Sequence, residues 1–152
     1  MPLERVKTHL RQFPDLNIVL FDTSTHTSEL AAQALGVAPA QIAKSLVFLA
    51  DGNPLLVVTC GDKKIDTKKL SKAVGAKKVR FADAETVMET TGFPPGGVSP
   101  VGLLKPIPLY LDESLWTFDT VYAAAGTANS ALPVNPDRLL EVTSGAKIDV
   151  CR

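Results

Sequence analysis

Apolar and polar positions along the chain follow two periods, and the switches between them mark its elements. Leu3, Val6, Leu10 and Phe13 recur at helical spacing and predict an opening amphipathic helix ended by Pro14. Residues 17–21, NIVLF, read as a strand. TSELAAQALG predicts a helix with Thr27 or Ser28 as cap and Gly36 just past its end. APAQIA predicts a helical turn or short helix with Pro39 near its start. QIAKSLVFLADGNPLLVV holds two apolar runs split by Asp51-Gly52-Asn53-Pro54 and reads as a hairpin.

Further along, DTKKLSKAVG predicts a helix closed by Gly75, and KKVRFA a strand. DAETVMETTG predicts a helix capped by Asp83 with Gly92 after its end, and FPPGGVSPVG is compatible only with a loop. IPLYLDES and TVYAAAG read as strands, NPDRLLEVTSG as a helix and AKIDVC as a last strand. Strands and helices are interspersed without a strict βαβ rhythm. The expected fold class is therefore α/β in the mixed α+β sense, one domain over residues 1–152.

Composition narrows the class. A chain of 152 residues can bury a substantial core, and 45% hydrophobic with 21% charged residues is ordinary for a soluble globular protein. No apolar run approaches the roughly 18 residues that span a bilayer. The amphipathic MPLERVKTHLRQF lacks a signal-peptide core, so a cytoplasmic location is expected. Cys60 and Cys151 stand far apart and, with only His9 and His26 besides, offer no ligand spacing for zinc; no metal and no cofactor are expected. Net charge is zero, yet half of the 16 basic residues lie between Lys63 and Arg80: Lys63, Lys64, Lys68, Lys69, Lys72, Lys77, Lys78 and Arg80. Only Asp62 and Asp66 oppose them there. The segment is either a solvated helix face or a local phosphate-binding face on a neutral protein.

Three features carry candidate chemistry. Lys44 heads the first hairpin run and shares a strand face with Leu46 and Phe48, while Ser45, Val47 and Leu49 point the other way. Such a lysine either snorkels to solvent or projects from the sheet rim into a cleft, where its ammonium holds a phosphate or a carbonyl or ribose oxygen. TGFPPGGVSPVG holds four glycines and three prolines in twelve residues; it is either a rigid surface connection or a loop whose N–H groups point at an anion. It matches neither a Walker loop nor a dinucleotide fingerprint. AAAGTANSALP offers small residues for close backbone packing or for a pocket wall. Ser45, Ser99 and Ser130 lack a nucleophile-elbow context, and no acid–base pair is evident. An enzyme built this way works by positioning and backbone hydrogen bonds.

THTSELAAQALGVAPAQIAKSLVF, VTCGDKKID, TGFPPGGVSPVG, LYLDESL and AAAG occur in that order. In this the chain resembles the YbaK-type family of aminoacyl-tRNA deacylases, related to the editing domain inserted in bacterial prolyl-tRNA synthetase. The resemblance spans roughly Thr25 to Asn129, with QIAKSLVF and GGVSPVG its most specific parts. It implies a central mixed, curved β-sheet flanked by helices, and hydrolysis in trans of the ester of mischarged tRNA without metal or covalent protein nucleophile. The family's central lysine maps onto Lys44 and the residue after it onto Ser45. The glycine closing the proline–glycine loop maps onto Gly102, and that of the late AG element onto Gly126. Lys44, Gly102 and Gly126 are thus the expected catalytic residues. Phe21, Leu30, Ser45, Gly97 and Ser99 are the expected substrate-binding residues. Lys63, Lys64, Lys68 and Lys72 are expected, from charge, to contact tRNA. Expected partners are mischarged tRNA, with tRNA-Pro a candidate, and an aminoacyl-tRNA synthetase, but neither membrane nor DNA.

Family members associated with cysteinyl-tRNA commonly carry a serine before the AG element and basic residues after it. Here Ala124-Ala125-Gly126-Thr127-Ala128-Asn129 stands there, and Val101 occupies a position where an aromatic residue is frequent. These departures point away from a cysteine-specific pocket and leave alanine, serine and threonine esters as candidates. Two other readings compete: a non-catalytic tRNA- or synthetase-binding module of the same fold, and a hydrolase of small acyl esters or nucleotide-linked amino acids.

Overall fold

Local chemistry explains most helix ends in the computed structural model, which describes residues 2–21, 28–95, 97–127 and 129–152. Helix α1 (Pro2–Leu10) buries Val6 and Leu10. Its expected extension to Phe13 is a turn, in which the Phe13 N–H donates to the Leu10 carbonyl at 2.9 Å. Helix α2 (Ser28–Leu35) ends before Gly36, which is left-handed at φ 71°. Thr27, offered above as a cap, lies outside the described residues, as do Thr25 and His26. Asp66 caps α3 (Thr67–Val74) by accepting from the Lys68 and Lys69 N–H groups, and Asp83 caps α4 (Ala84–Thr91) through the Thr86 N–H. Gly75 and Gly92 close these two helices in the left-handed conformation. For α5 (Pro136–Thr143) the cap is Asn135, and the left-handed residue after it is Ser144, at φ 53°.

Alternation places the strands. β2 (Ile42–Ala50) and β3 (Asn53–Cys60) pair antiparallel across a two-residue turn, Asp51 at φ 50° and Gly52 at φ 85°. Two positive φ values at an Asp-Gly tip match the right-handed twist of the hairpin. Asn53 and Pro54, read above as part of the connection, already belong to β3. The remaining strands are β1 (Val19–Leu20), β4 (Val79–Phe81), β5 (Leu109–Asp112), β6 (Val121–Ala123), β7 (Ser130–Val134) and β8 (Ala146–Ile148). Their order is β1-β7-β6-β2-β3-β5-β8, with β4 also on β2. Parallel pairs (β2–β6, β3–β5, β5–β8) mix with antiparallel ones, as the interspersed elements predicted.

β7 was hidden in the sequence, because Pro133 and the small residues before it look like loop. The proline is tolerated because β1 pairs only with Ser130 and Ala131, so no ladder partner stands opposite Pro133 on the outer edge. β1 itself is two residues long rather than five.

The hairpin registers assign two faces. Ala43, Ser45 and Val47 lie opposite Cys60, Val58 and Leu56. This side packs against Val6 and Leu10 of α1, Phe93, Val98 and Val101 of the proline–glycine loop, and Leu139 of α5. Lys44, Leu46 and Phe48 lie opposite Thr59, Val57 and Leu55 on the other side, covered by Leu70 of α3, Ile65 and Val150. No helix among the described residues is long and apolar enough to cross a membrane.

Asp112, at the end of β5, is 1% exposed. One carboxylate oxygen accepts from the Val150 N–H and the other from the Ser114 N–H, both at 2.9 Å. Burial pushes its pKa up, but hydrogen bonds from Ser114 and Val150 outweigh that, and the net direction is below the ordinary carboxylate value. A depressed folded-state pKa stabilises the fold above the unfolded value and loses that contribution as pH falls through the folded one. Asp112→Ala is expected to cost about 3 kcal/mol in urea unfolding at neutral pH. The wild-type advantage should shrink steadily as the titration moves below about pH 4; an advantage independent of pH would refute the ionised role.

Candidate functional site

Strand β2 forks. On the edge away from β3, Ile42 and Ala43 pair with β6, whereas Phe48, Leu49 and Ala50 pair with β4. The Ala82 N–H continues the second ladder to the Val47 carbonyl at 3.0 Å. Among the described residues, Lys44, Ser45 and Leu46 have no strand partner on that edge. The hairpin tip anchors one prong of the fork. Asp51 at the hairpin tip accepts from the Lys77 and Lys78 N–H groups, both at 3.0 Å, and ties the start of β4 to β2. These two backbone hydrogen bonds keep the Asp51 carboxyl below its usual pKa. On the other prong the chain leaves β6 at Ala123 and enters the AG loop.

Lys44 and Ser45 therefore face opposite sides of the sheet at its gap. The Lys44 side chain is half-buried and, among the described residues, makes neither hydrogen bond nor ion pair. The Ser45 hydroxyl is buried and has no hydrogen-bond partner. An orphan buried hydroxyl costs about 1–3 kcal/mol, so it marks a place where a polar ligand group would be favourable.

Ser45 looks to the side where the two glycine loops meet. A Cβ on Gly97 would lie 3.2 Å from the Thr127 Cα and 3.3 Å from the Gly126 carbonyl oxygen, so the loops touch backbone to backbone. Gly126 (φ 103°) and Gly102 (φ 74°) both require the conformation that favours glycine. Their missing side chains leave room for α1: a Cβ would sit 3.0 Å from the Pro2 carbonyl carbon and 3.2 Å from the Val6 Cα respectively. Gly96 lies outside the described residues. Ser99 is fully buried, and its hydroxyl accepts from the Val101 N–H at 3.1 Å, which braces the loop. Phe21 is half-buried at the end of β1 and donates its N–H to the Asn129 carbonyl at 2.8 Å. Leu30 is 44% exposed on α2, a helix that contacts β2.

Several residues here had no sequence signal. Arg5 on α1 donates from Nε to the Gly102 carbonyl (2.6 Å) and from Nη2 to that of Thr91 (3.1 Å), with its guanidinium 4.5 Å from the Phe93 ring centroid. Thr127 and Ser130 close the AG loop, with hydroxyls 2.9 Å apart and the Ser130 hydroxyl donating to the Thr127 carbonyl at 3.1 Å. A Thr-x-Asn-Ser run after glycine is a turn signal that could have been noticed.

Lys63, Lys64, Lys68 and Lys72 are all exposed, in the β3–α3 connection and on α3, on the Lys44 side of the sheet. The tertiary structure adds acids that the local sequence does not show: Asp149 pairs with Lys69 at 3.2 Å, and Asp51 sits beside Lys77 and Lys78. Both cysteines are free. Burial pushes the Cys60 thiol up and raises Cys151 to about 11, so both stay protonated and non-nucleophilic at neutral pH. Among the described residues no group of three or more His, Cys, Asp or Glu side chains could hold a metal.

Residues 22–142 match the model of the aminoacyl-tRNA editing domain. The uncharacterized protein YwhH of Bacillus subtilis is 43% identical, with 100% of this chain and 98% of that one aligned. A protein of Enterococcus faecalis provisionally named Cys-tRNA(Pro)/Cys-tRNA(Cys) deacylase EbsC is 33% identical over 78% of this chain and 73% of its own. The proline–tRNA ligase of Bacillus licheniformis is 37% identical over 74% of this chain, but over only 18% of its own length. A crystal structure provisionally named a trans-editing enzyme for prolyl tRNA synthetase superposes with a TM-score of 0.93 at 38% identity, covering 99% of this chain and 97% of that one. With the forked mixed sheet and the ordered motifs of the sequence, these likenesses establish that the chain belongs to the aminoacyl-tRNA editing domain family.

Proposed function

We propose that the chain is a free-standing trans-editing hydrolase that removes a small amino acid from mischarged tRNA. The observation that carries this reading is the orphan Ser45 hydroxyl at the gap in the β2 edge, with the Lys44 ammonium, which makes no hydrogen bond or ion pair among the described residues, on the opposite face. A ligand crossing that edge meets a cation on one side and an unsatisfied hydroxyl on the other. An aminoacyl ester of a 3′-terminal nucleotide has matching halves, an anionic polynucleotide and a small polar acyl group.

In this reading Lys44 holds the terminal phosphate or ribose, and Ser45 hydrogen-bonds the acyl end. Gly97, Gly102 and Gly126 shape the loops around it, and Phe21 and Leu30 border the acyl pocket. Ser99 acts through the shape of its loop. Water adds to the ester carbonyl, the bond to the ribose oxygen breaks, and that oxygen takes up the proton; the products are free amino acid and tRNA. Fixing the ester against water supplies several kcal/mol of the barrier reduction without a strong base. Each loop N–H aimed at the developing oxyanion adds roughly 3 kcal/mol. One methylene changes pocket affinity by only about 1–3 kcal/mol, so selection among alanine, serine and threonine rests on exclusion by size. Exposed Lys63, Lys64, Lys68 and Lys72 lie on the Lys44 side, where the tRNA body would approach.

Lys44→Ala is expected to lower kcat/KM on alanyl-tRNA-Pro at least about 100-fold, a loss of about 3 kcal/mol. Because Lys44 makes no hydrogen bond or ion pair among the described residues, the stability of the variant should stay within about 0.5 kcal/mol of wild type. Undiminished turnover would sink the mechanism, and tight binding of acyl-tRNA by a wild type that never turns it over would favour the binding module. For Ser45→Ala, loss of the orphan hydroxyl should stabilise the protein by up to about 1 kcal/mol while weakening activity. A variant both less stable and fully active would contradict the proposed role. Replacing Lys63, Lys64, Lys68 and Lys72 together by alanine should flatten the dependence of log kcat/KM on log salt by about 0.7–0.9 per lost phosphate contact; an unchanged slope would remove them from the tRNA interface.

A further inference from the structure

On the Lys44 side of the fork the fold leaves a large aromatic ring in solvent. Phe81, the last residue of β4, is 57% exposed. Its ring packs against the fully buried Phe48, with centroids 4.5 Å apart and planes tilted by 36°. The register pairs Phe81 with Phe48, so its side chain lies on the face of β2 that carries Lys44. Four residues along β2 separate Phe48 from Lys44, about 13 Å of strand.

Beside the ring lies a cavity of about 420 Å³ bordered by Ile65, Asp66, Thr67, Lys68, Phe81 and Arg152. Its lining holds two cations, Lys68 and Arg152, and one acid, Asp66. The Asp66 carboxylate is turned onto the α3 backbone N–H groups at 3.0 and 3.3 Å, which leaves Lys68 and Arg152 as the cations facing the space. Neither has an ion-pair partner among the described residues. The Arg152 N–H donates to the Lys64 carbonyl at 3.0 Å, and the Ile65–Cys151 bridge holds the preceding residue, so this wall is anchored to the sheet.

From this we infer that Phe81 is a stacking platform for an unpaired base of single-stranded RNA, with Lys68 and Arg152 gripping the adjoining phosphates. A rigidly backed aromatic face beside a cationic cavity is the combination by which proteins hold unpaired nucleic acid without reading its sequence. A peptide or lipid occupant fits less well: the exposed apolar patch is one ring wide, since Ile65 is buried, and two cations, Lys68 and Arg152, border it. The inference rests on the fork being an acyl-tRNA site and deepens it. The esterified nucleotide sits at Lys44, and the base next to it lies on Phe81, outside the acyl pocket.

The test uses the short RNA 5′-ACCA-3′ with fluorescent 2-aminopurine in place of the base next to its 3′ nucleotide, alongside alanyl-tRNA-Pro deacylation. Wild-type protein should quench the fluorophore. Phe81→Leu, which keeps an apolar contact with Phe48, should abolish quenching and weaken binding about 10-fold, and Phe81→Trp should restore both. In deacylation, Phe81→Leu should raise KM about 10-fold and leave kcat unchanged. Phe81→Leu that quenches and binds like wild type overturns the platform, whatever the enzyme hydrolyses. Phe81-dependent quenching by a protein that deacylates no acyl-tRNA supports the platform and refutes the hydrolase reading instead. Deacylation whose KM does not respond to Phe81→Leu leaves the hydrolase standing and removes the platform.

Discussion

The arrangement around the site depends on one strand having to share an edge. β2 is central and paired with β3 from Ala43 to Ala50 on one side, but on the other it serves β6 with its first residues and β4 with its last. The two partners approach with opposite polarity, β6 parallel and β4 antiparallel, and neither reaches Lys44, Ser45 or Leu46. A sheet edge inside a fold is normally covered, because an uncovered one leaves backbone and side-chain groups without partners. Among the described residues, the stretch without a strand partner coincides with an ammonium that makes no hydrogen bond or ion pair and with an orphan hydroxyl.

The gap matters because it lies between two chemically different sides. On the Ser45 side, α1 and the two glycine loops build a close-fitting, mostly apolar wall. Its closeness comes from backbone contact: Gly97 meets Gly126 and Thr127, Gly102 meets Val6, and Gly126 meets Pro2. The glycines therefore act first as packing residues that let α1 and the loops approach, and Arg5 fastens that contact through the Gly102 and Thr91 carbonyls. On the Lys44 side, α3 brings exposed lysines, and Phe81 stays in solvent next to Lys68 and Arg152. One side is a packed apolar wall and the other carries exposed cations.

Much of this was legible locally. Asp83, Gly75 and Gly92 announce their helix ends because a side-chain oxygen near free N–H groups, or a residue that accepts positive φ, acts within a few positions. Asp51-Gly52 announces the hairpin for the same reason. The alternation that sets Lys44 with Leu46 and Phe48 holds in the register, since a pleated strand leaves no other choice. β7 was illegible because the tolerance of Pro133 depends on how far a strand from the other end of the chain extends beside it. The full charge balance of the Lys63–Arg80 segment is illegible for a similar reason, since Asp51 and Asp149 reach it only through the fold.

The sequence by itself determined the element types, the hairpin, the two faces of β2 and, through its ordered motifs, the family. Those properties follow from interactions within a turn or along one strand. Only the tertiary structure decided that β2 forks, that the glycine loops close against α1, and that Phe81 stands beside Lys68 and Arg152. Each of these joins segments tens of residues apart, and no local periodicity encodes which remote strand will stop short of Lys44. The candidate site lies where two such strands fail to meet.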